Sequence, residues 1–266
     1  ILEEAFGGSV SAHYIQLGDA PLARLHVLVN TTPGKVPAYD TDAIEARLVA
    51  VAHTWGDRLQ DALLAALGEE RARHLHDRYR AAFSNAYRER FDGAAALADI
   101  AKLEQTLESG ALSMNLYRRP GAAPNQVGFK IFHPEAAIPL SDILPMLEHM
   151  GLKVVDELPY AVHPKDAPSG LVMIHDFGLE TQDGAAVDLE AVQVNFEDTF
   201  ARVWRAEMDS DGFNGLVLQA GLAWRQVVVL RAFCKYLRQA GITYSQAYME
   251  QTLANNPRMA QLIVGL

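Results

Sequence analysis

At Gly110 the spacing of apolar residues changes from three and four to two. A chain that makes this switch is neither all helix nor all strand. Upstream, Ile44, Leu48, Val51, Trp55, Leu59, Leu63 and Leu67 recur at helical steps. They predict one long amphipathic helix, opened by Asp40 or Thr41 and closed by Gly68. A second helix is expected to carry Leu75, Tyr79, Phe83, Tyr87 and Phe91, and a third, after Gly93, Leu97, Ile100, Leu103 and Leu107. The aromatic stripe on the second reads as core. The segment 40–109 is therefore a helical connector. Ahead of it, residues 9–30 read as a strand hairpin turning at Gly18–Pro21.

Beyond Gly110, Leu112, Met114 and Leu116 alternate with polar neighbours, as do Val127, Phe129 and Ile131 after a turn at Pro120–Asn125. Ser141 is placed to cap a helix running to Met150, with Pro145 tolerable near its first turn, and Gly151 ends it. Strands follow at Leu152–Leu158 and Leu171–Phe177, then a helix from Asp188 to Trp204. The order β-β-α-β-β-α becomes β-α-β-β-α-β when the first strand is moved to the end. That is the ferredoxin-like arrangement of ACT-type regulatory domains. The fold class expected is thus α+β: a four-stranded antiparallel sheet with two helices on one face, plus the helical connector and a helical C-terminal segment. The division is 1–39 (strand hairpin), 40–109 (helical connector), 110–206 (ACT-like ββαββα domain) and 207–266 (helical segment). In the last, Leu216–Leu237 reads as one helix, apolar nearly all round, which must be buried against something. Should that partner lie outside this chain, self-association follows.

Charge and composition exclude several classes. The formal net charge of -10 argues against a nucleic-acid surface and against an anionic membrane face. No apolar run reaches the roughly 20 residues of a membrane span. Cys234 is the only cysteine, so an internal disulfide and a cysteine-based zinc site are excluded; it reads as a small buried hydrophobe. With no signal-peptide pattern, a cytoplasmic location is the simplest expectation. The chain begins at Ile1 without a methionine, and is expected to be part of something longer.

Chemistry is sparse. Neither G-x-G-x-x-G nor G-x-x-x-x-G-K-[ST] occurs, so a usual NAD cradle or phosphate loop is not expected in this segment. Glu207, Asp209, Asp211 and Gly212 imitate the first half of a calcium loop, but its twelfth position is Leu218, where a bidentate Glu is needed. The turn reads better as a helix end with Asn214 capping the next helix. His74 and His76 face different directions, and His163 and His175 are possible strand neighbours with structural roles. Asp156 and Glu157 point to opposite faces of a strand and cannot pair. No residue is assigned a catalytic, cofactor-binding or metal role. One loop, His133 to Ser141, joins a strand to a helix start, whose unpaired N–H groups suit a carboxylate. His133, Glu135, Ser141 and Asp142 form the candidate effector loop, set against the plainer reading of an ordinary capped loop.

Longer strings carry a family likeness. They include Leu116-Tyr117-Arg118, Pro139-Leu140-Ser141-Asp142-Ile143-Leu144-Pro145-Met146-Leu147-Glu148 and Met150-Gly151-Leu152-Lys153-Val154-Val155-Asp156-Glu157. Pro159-Tyr160, His175-Asp176-Phe177, Asp211-Gly212-Phe213-Asn214 and Ala220-Gly221-Leu222-Ala223-Trp224-Arg225 continue it, as do Leu230-Arg231-Ala232, Tyr236-Leu237-Arg238-Gln239 and Ser245-Gln246-Ala247-Tyr248. Upstream, Ile44-Glu45-Ala46-Arg47 and Thr54-Trp55 fit as well. The chain resembles the large NAD-specific glutamate dehydrogenases over essentially its whole length. Asp209, where relatives are expected to carry Glu, departs from the pattern. The resemblance implies a full enzyme oxidising L-glutamate with NAD to 2-oxoglutarate, ammonium and NADH, its Rossmann domain lying outside this segment. It implies a partner in the remainder of the same enzyme, with 1–39 as the end of a preceding ACT-like unit and 207–266 as a helical motif. Further copies of the chain and an amino-acid effector are expectations of the leading, regulatory reading. No family catalytic residue has a matching position here. Against this regulatory reading stand an oligomerisation scaffold without a ligand and, more remotely, an independent enzyme.

Overall fold

Capping side chains set the helix boundaries, and they divide the connector more finely than its apolar period does. The computed structural model describes residues 1–16, 24–35, 37–167 and 170–265. After a short helix α1 (Leu2–Phe6), strands β1 (Gly8–Gln16) and β2 (Arg24–Thr31) pair antiparallel; the turn expected between them lies outside the described residues. Asp40 accepts from the Asp42 and Ala43 N–H groups and opens α2 (Thr41–Ala52). The single helix expected over 44–67 is broken at His53–Thr54. Thr54 and Asp57 form a reciprocal capping box that starts α3 (Trp55–Leu67), satisfying N–H donors that an uninterrupted helix would not leave open. The aromatic stripe is broken likewise. α4 (Glu69–Tyr79) ends before Phe83, and Ser84 caps α5 (Asn85–Arg90). The third helix, α6 (Gly93–Ser109), is capped by Asp92.

The second half has the expected topology. β3 (Ser113–Tyr117), β4 (Gln126–Pro134), β5 (Leu152–Val162) and β6 (Val172–Thr181) form one antiparallel sheet in the order β3-β4-β6-β5. With the first strand moved to the end this is the ferredoxin-like order. α7 (Leu140–His149) and α8 (Leu189–Trp204) cover one face. There Phe129 meets Phe196 and Phe200 edge-on, with ring centroids 5.2 and 5.0 Å apart. Ser141 is not the cap of α7. Pro139 holds the N-cap position without a side-chain bond, and the Ser141 hydroxyl, one turn-position inside, donates to Asp142.

The opposite face is covered as well. α3 to α6 pack on Phe132, Tyr160, Val162, Val172 and Ile174, so connector and sheet share a core. A bulge between Val154 and Asp156 makes this possible on β5. It shifts the alternation by one, leaving Leu152 and Val154 toward α7 while Leu158, Tyr160 and Val162 turn to the connector.

The C-terminal segment is also divided. After a 3-10 turn (Gly212–Gly215) come α9 (Leu216–Gln219), α10 (Trp224–Gln239), α11 (Gln246–Asn255) and α12 (Pro257–Val264). The single helix expected over 216–237 is interrupted at Gly221, whose φ of 63° is helix-terminating. Nor is α10 buried all round. Val227, Leu230 and Cys234 are covered, whereas Val228, Val229, Phe233, Tyr236 and Leu237 are exposed in this chain. No helix of the described residues is long and apolar enough to cross a membrane.

Candidate functional site

The sheet face under the connector is unusual in carrying charge where an apolar surface would pack most simply. Lys130 and Asp176 sit side by side on β4 and β6, in register with one another, and both are buried. Taking two such charges out of water costs several kcal/mol each unless partners are supplied. Those partners come from the connector and from β3. Asp99 of α6, buried, receives the Lys130 ammonium and the Tyr87 hydroxyl. Lys130 Nζ also lies 3.7 Å from the centroid of the Phe91 ring, a cation–π contact in a desolvated setting. Asp176 accepts from the Tyr117 hydroxyl at 2.8 Å and pairs with Arg119 Nη2 at 3.3 Å and Arg90 Nε at 3.9 Å. Arg119 in turn holds Asp156 through Nη1 at 2.8 and 3.0 Å. Two helices and four strands are thus tied by one polar network.

Ionisation follows this geometry. Burial pushes the Asp99 carboxyl above its usual range, although Lys130 and Tyr87 pull the other way. Burial, then the Asp176 charge, raises the Tyr117 phenol. Burial works against the Arg119 charge, but Asp156 and Asp176 outweigh it and hold the guanidinium protonated.

Two cross-strand neighbours, Gly128 and Gly178, make room for the network. A Cβ on Gly128 would lie 2.4 Å from the Tyr117 ring, and one on Gly178 2.4 Å from Arg119 Nη1 and Asp156 Oδ2. Gly128→Ala should push Tyr117 off the sheet and cost about 1–3 kcal/mol, as overpacking does. A urea midpoint within error of the parent's would refute that.

A cleft of about 610 Å³ opens beside the network, its wall including Arg58, Arg88, Arg90 and Arg119 together with Trp55 and Phe91. Arg88 lies over the Trp55 ring at 5.1 Å, and Trp55 Nε1 donates to the Phe91 carbonyl at 2.8 Å. Sequence reading missed both network and cleft. A lone Lys in β4 looks solvent-facing, and the four arginines are scattered between positions 58 and 119. The available signal was that His175-Asp176-Phe177 puts a carboxylate on the face that carries Val172 and Ile174, the apolar residues of β6 there.

The candidate effector segment joins β4 to α7. His133 Nδ1 is 2.9 Å from the Ala136 carbonyl, Glu135 adopts a left-handed φ of 72°, and its N–H donates to the Leu171 carbonyl at 3.1 Å. The Ile138 N–H donates to His175 Nε2 at 3.1 Å, while His175 Nδ1 faces Glu157 at 2.8 Å. His133 thus lies at the end of β4, Ser141 and Asp142 in the first turn of α7, and only Glu135 on the braced connection between them. His163, by contrast, is beyond the ladder and bonded to the Gly170 carbonyl, so the two histidines have separate partners. Asp156 and Glu157 do face opposite ways. In the acidic turn, Asp211 and not Asn214 is the cap, accepting from the Phe213 N–H at 3.2 Å. Asn214 spends its side chain on the Asp209 carbonyl and on Arg231. Among the described residues no cluster of His, Cys, Asp and Glu is arranged to hold a metal ion.

Comparison with known families returns four consecutive matches, all from one enzyme. Residues 1–56 match the glutamate dehydrogenase ACT2 domain, 62–106 its helical motif 2, 111–192 its ACT3 domain and 208–266 its helical motif 3. The NAD-specific glutamate dehydrogenase of Halomonas elongata is 38% identical over 250 residues, 94% of this chain. The chain belongs to the NAD-specific glutamate dehydrogenase family. The Mycobacterium tuberculosis and Pseudomonas aeruginosa NAD-specific glutamate dehydrogenases are 32% and 28% identical over the whole of it. It spans only 15–17% of the length of these relatives. In glutamate dehydrogenase terms, the buried network joins helical motif 2 to the ACT3 sheet.

Proposed function

We propose that this chain is a regulatory and structural segment of an NAD-dependent glutamate dehydrogenase, with no catalytic machinery of its own. The whole enzyme, a cytoplasmic homo-oligomer in this reading, oxidises L-glutamate with NAD to 2-oxoglutarate, ammonium and NADH. The residues present do not fit the usual NAD cradle: the sheet is antiparallel throughout, and no G-x-G-x-x-G turn joins a strand to a helix. Hydride transfer is therefore assigned to parts of the enzyme outside this chain. Within it, 1–39 is the end of an ACT-like unit, 40–109 a helical connector, 110–206 an ACT-like domain and 207–266 a helical motif.

The observation that carries the regulatory reading is the ion network between connector and sheet. It gives an effector bound on the ACT-like sheet a stiff route to a neighbouring element, whose arrangement can then differ between two states. The proposed effector is an amino acid at the loop of His133, Glu135, Ser141 and Asp142, with its ammonium toward Glu135 or Asp142 and its carboxylate toward the start of α7. A thermal-shift screen of the chain with amino acids, 2-oxoglutarate and nucleotides tests this. At about 100 times its Kd a ligand adds about 2.7 kcal/mol, roughly 5–10 °C at this size. The rise should be selective for one amino acid and abolished by Glu135→Gln with Asp142→Asn. The exposed apolar residues of α10 favour the second reading, a scaffold. A flat screen, with mass rising with concentration in light scattering, would establish that reading and end the first.

A further inference from the structure

We propose that the arginine-lined cleft beside the network binds a small dicarboxylate anion, gripped by Arg58 of α3 and Arg88 of α5. The four arginines of its wall are not equivalent. Arg119 is neutralised by Asp156 and Asp176, and Arg90 stands 3.9 Å from Asp176. Arg58 and Arg88 form no ion pair among the described residues. Each donates only to a backbone carbonyl, Arg58 to that of His53 and Arg88 to that of Arg80, both at 3.1 Å. The carboxylates that share the wall are Glu89 and Asp92, and Asp92 is committed to the Ala95 N–H at 2.7 Å as the cap of α6.

Two guanidinium groups on different helices, without carboxylate partners, match a ligand with two planar anionic ends, because the guanidinium fork pairs bidentately with carboxylate. Trp55 and Phe91 supply an apolar wall for the carbon spacer between those ends. Trp55 is fixed by its own hydrogen bond, and Arg88 is already oriented by lying over its ring, so little ordering remains to be done on binding. At about 610 Å³ the cleft falls within the roughly 300–1,000 Å³ of small-molecule sites.

The site is separate from the His133–Asp142 loop and stands or falls without it. The test is titration of the chain with succinate, with acetate and inorganic phosphate in parallel, followed by calorimetry and thermal shift. Succinate should bind saturably and more tightly than either comparison anion. Arg58→Gln and Arg88→Gln should each weaken it by about tenfold or more, the loss of one charged hydrogen-bonded contact. Glu135→Gln should leave succinate binding unchanged, whatever it does to an amino-acid response. Absence of saturable succinate binding overturns the proposal, as does equal binding of phosphate or acetate. So does an undiminished affinity in Arg58→Gln, whose exposed side chain can be changed without disturbing the fold even should Arg88→Gln misfold.

Discussion

Lys130→Met is expected to be the most damaging single substitution on the sheet, lowering stability by about 3–5 kcal/mol. Methionine fills nearly the same volume, so the loss is electrostatic. Asp99, 1% exposed, would keep the Tyr87 hydroxyl but lose its cation. A buried carboxylate with no counter-charge either stays ionised at high cost or takes up a proton. The pH dependence has a definite sign. Burial already raises the Asp99 carboxyl, and removing Lys130 raises it further. A carboxyl raised in the folded state contributes stability that is present below its unfolded value, about 3.9, and lost as pH climbs through the folded one. The deficit of Lys130→Met should therefore be largest at neutral pH and narrow toward pH about 4. Adding Asp99→Asn should recover part of the loss, as coupled pairs do. Thermal unfolding of the parent, both single variants and the double at two pH values measures all of this. A loss below about 1 kcal/mol, or one that grows on acidification, would show that the pair does not stabilise the connector–sheet joint.

The topology was legible because strand alternation and helix period are local signals. Each of β3 to β6 and both α7 and α8 lie where the apolar pattern puts them. Boundaries set by single polar side chains were not legible. Thr54 with Asp57 interrupts an apolar period that runs straight through it, and Ser84 does the same between Phe83 and Tyr87. An apolar period records which face is buried, and two helices broken at a cap can keep burying one face. The charged network was hidden for another reason. Asp99, Lys130 and Asp176 are far apart in sequence, and each alone looks like a surface residue on an amphipathic element. Strand pairing sets Lys130 beside Asp176, and the connector folding over that face of the sheet brings Asp99 to Lys130. The β5 bulge, which re-aims Asp156, likewise leaves no mark in composition.

The acidic turn after α8 leads to the second large effect, because a guanidinium already serves the carboxylate and carbonyl that imitated a calcium loop. Arg231 is 4% exposed. Its Nε and Nη2 grip Asp211 at 2.7 and 2.8 Å, and Nη2 also reaches Asn214 Oδ1 at 2.7 Å. Gln246 of α11 donates to the same Asp211 at 3.1 Å. The turn, α10 and α11 are therefore held at one point. Arg231→Met should cost about 3–5 kcal/mol by leaving Asp211 without its cation. Arg231→Lys should recover only part of this, since an ammonium keeps the charge but not the two-pronged geometry. The damage should be local. Hydrogen exchange should speed up across α10–α12 while the β4 and β6 amides stay protected, because the two regions unfold as separate units when the joint between them is weakened. Equal protection in the lysine variant and the parent would mean that charge alone holds the turn. Uniform loss of protection through the sheet would mean that the C-terminal helices and the ACT3 domain unfold as one body.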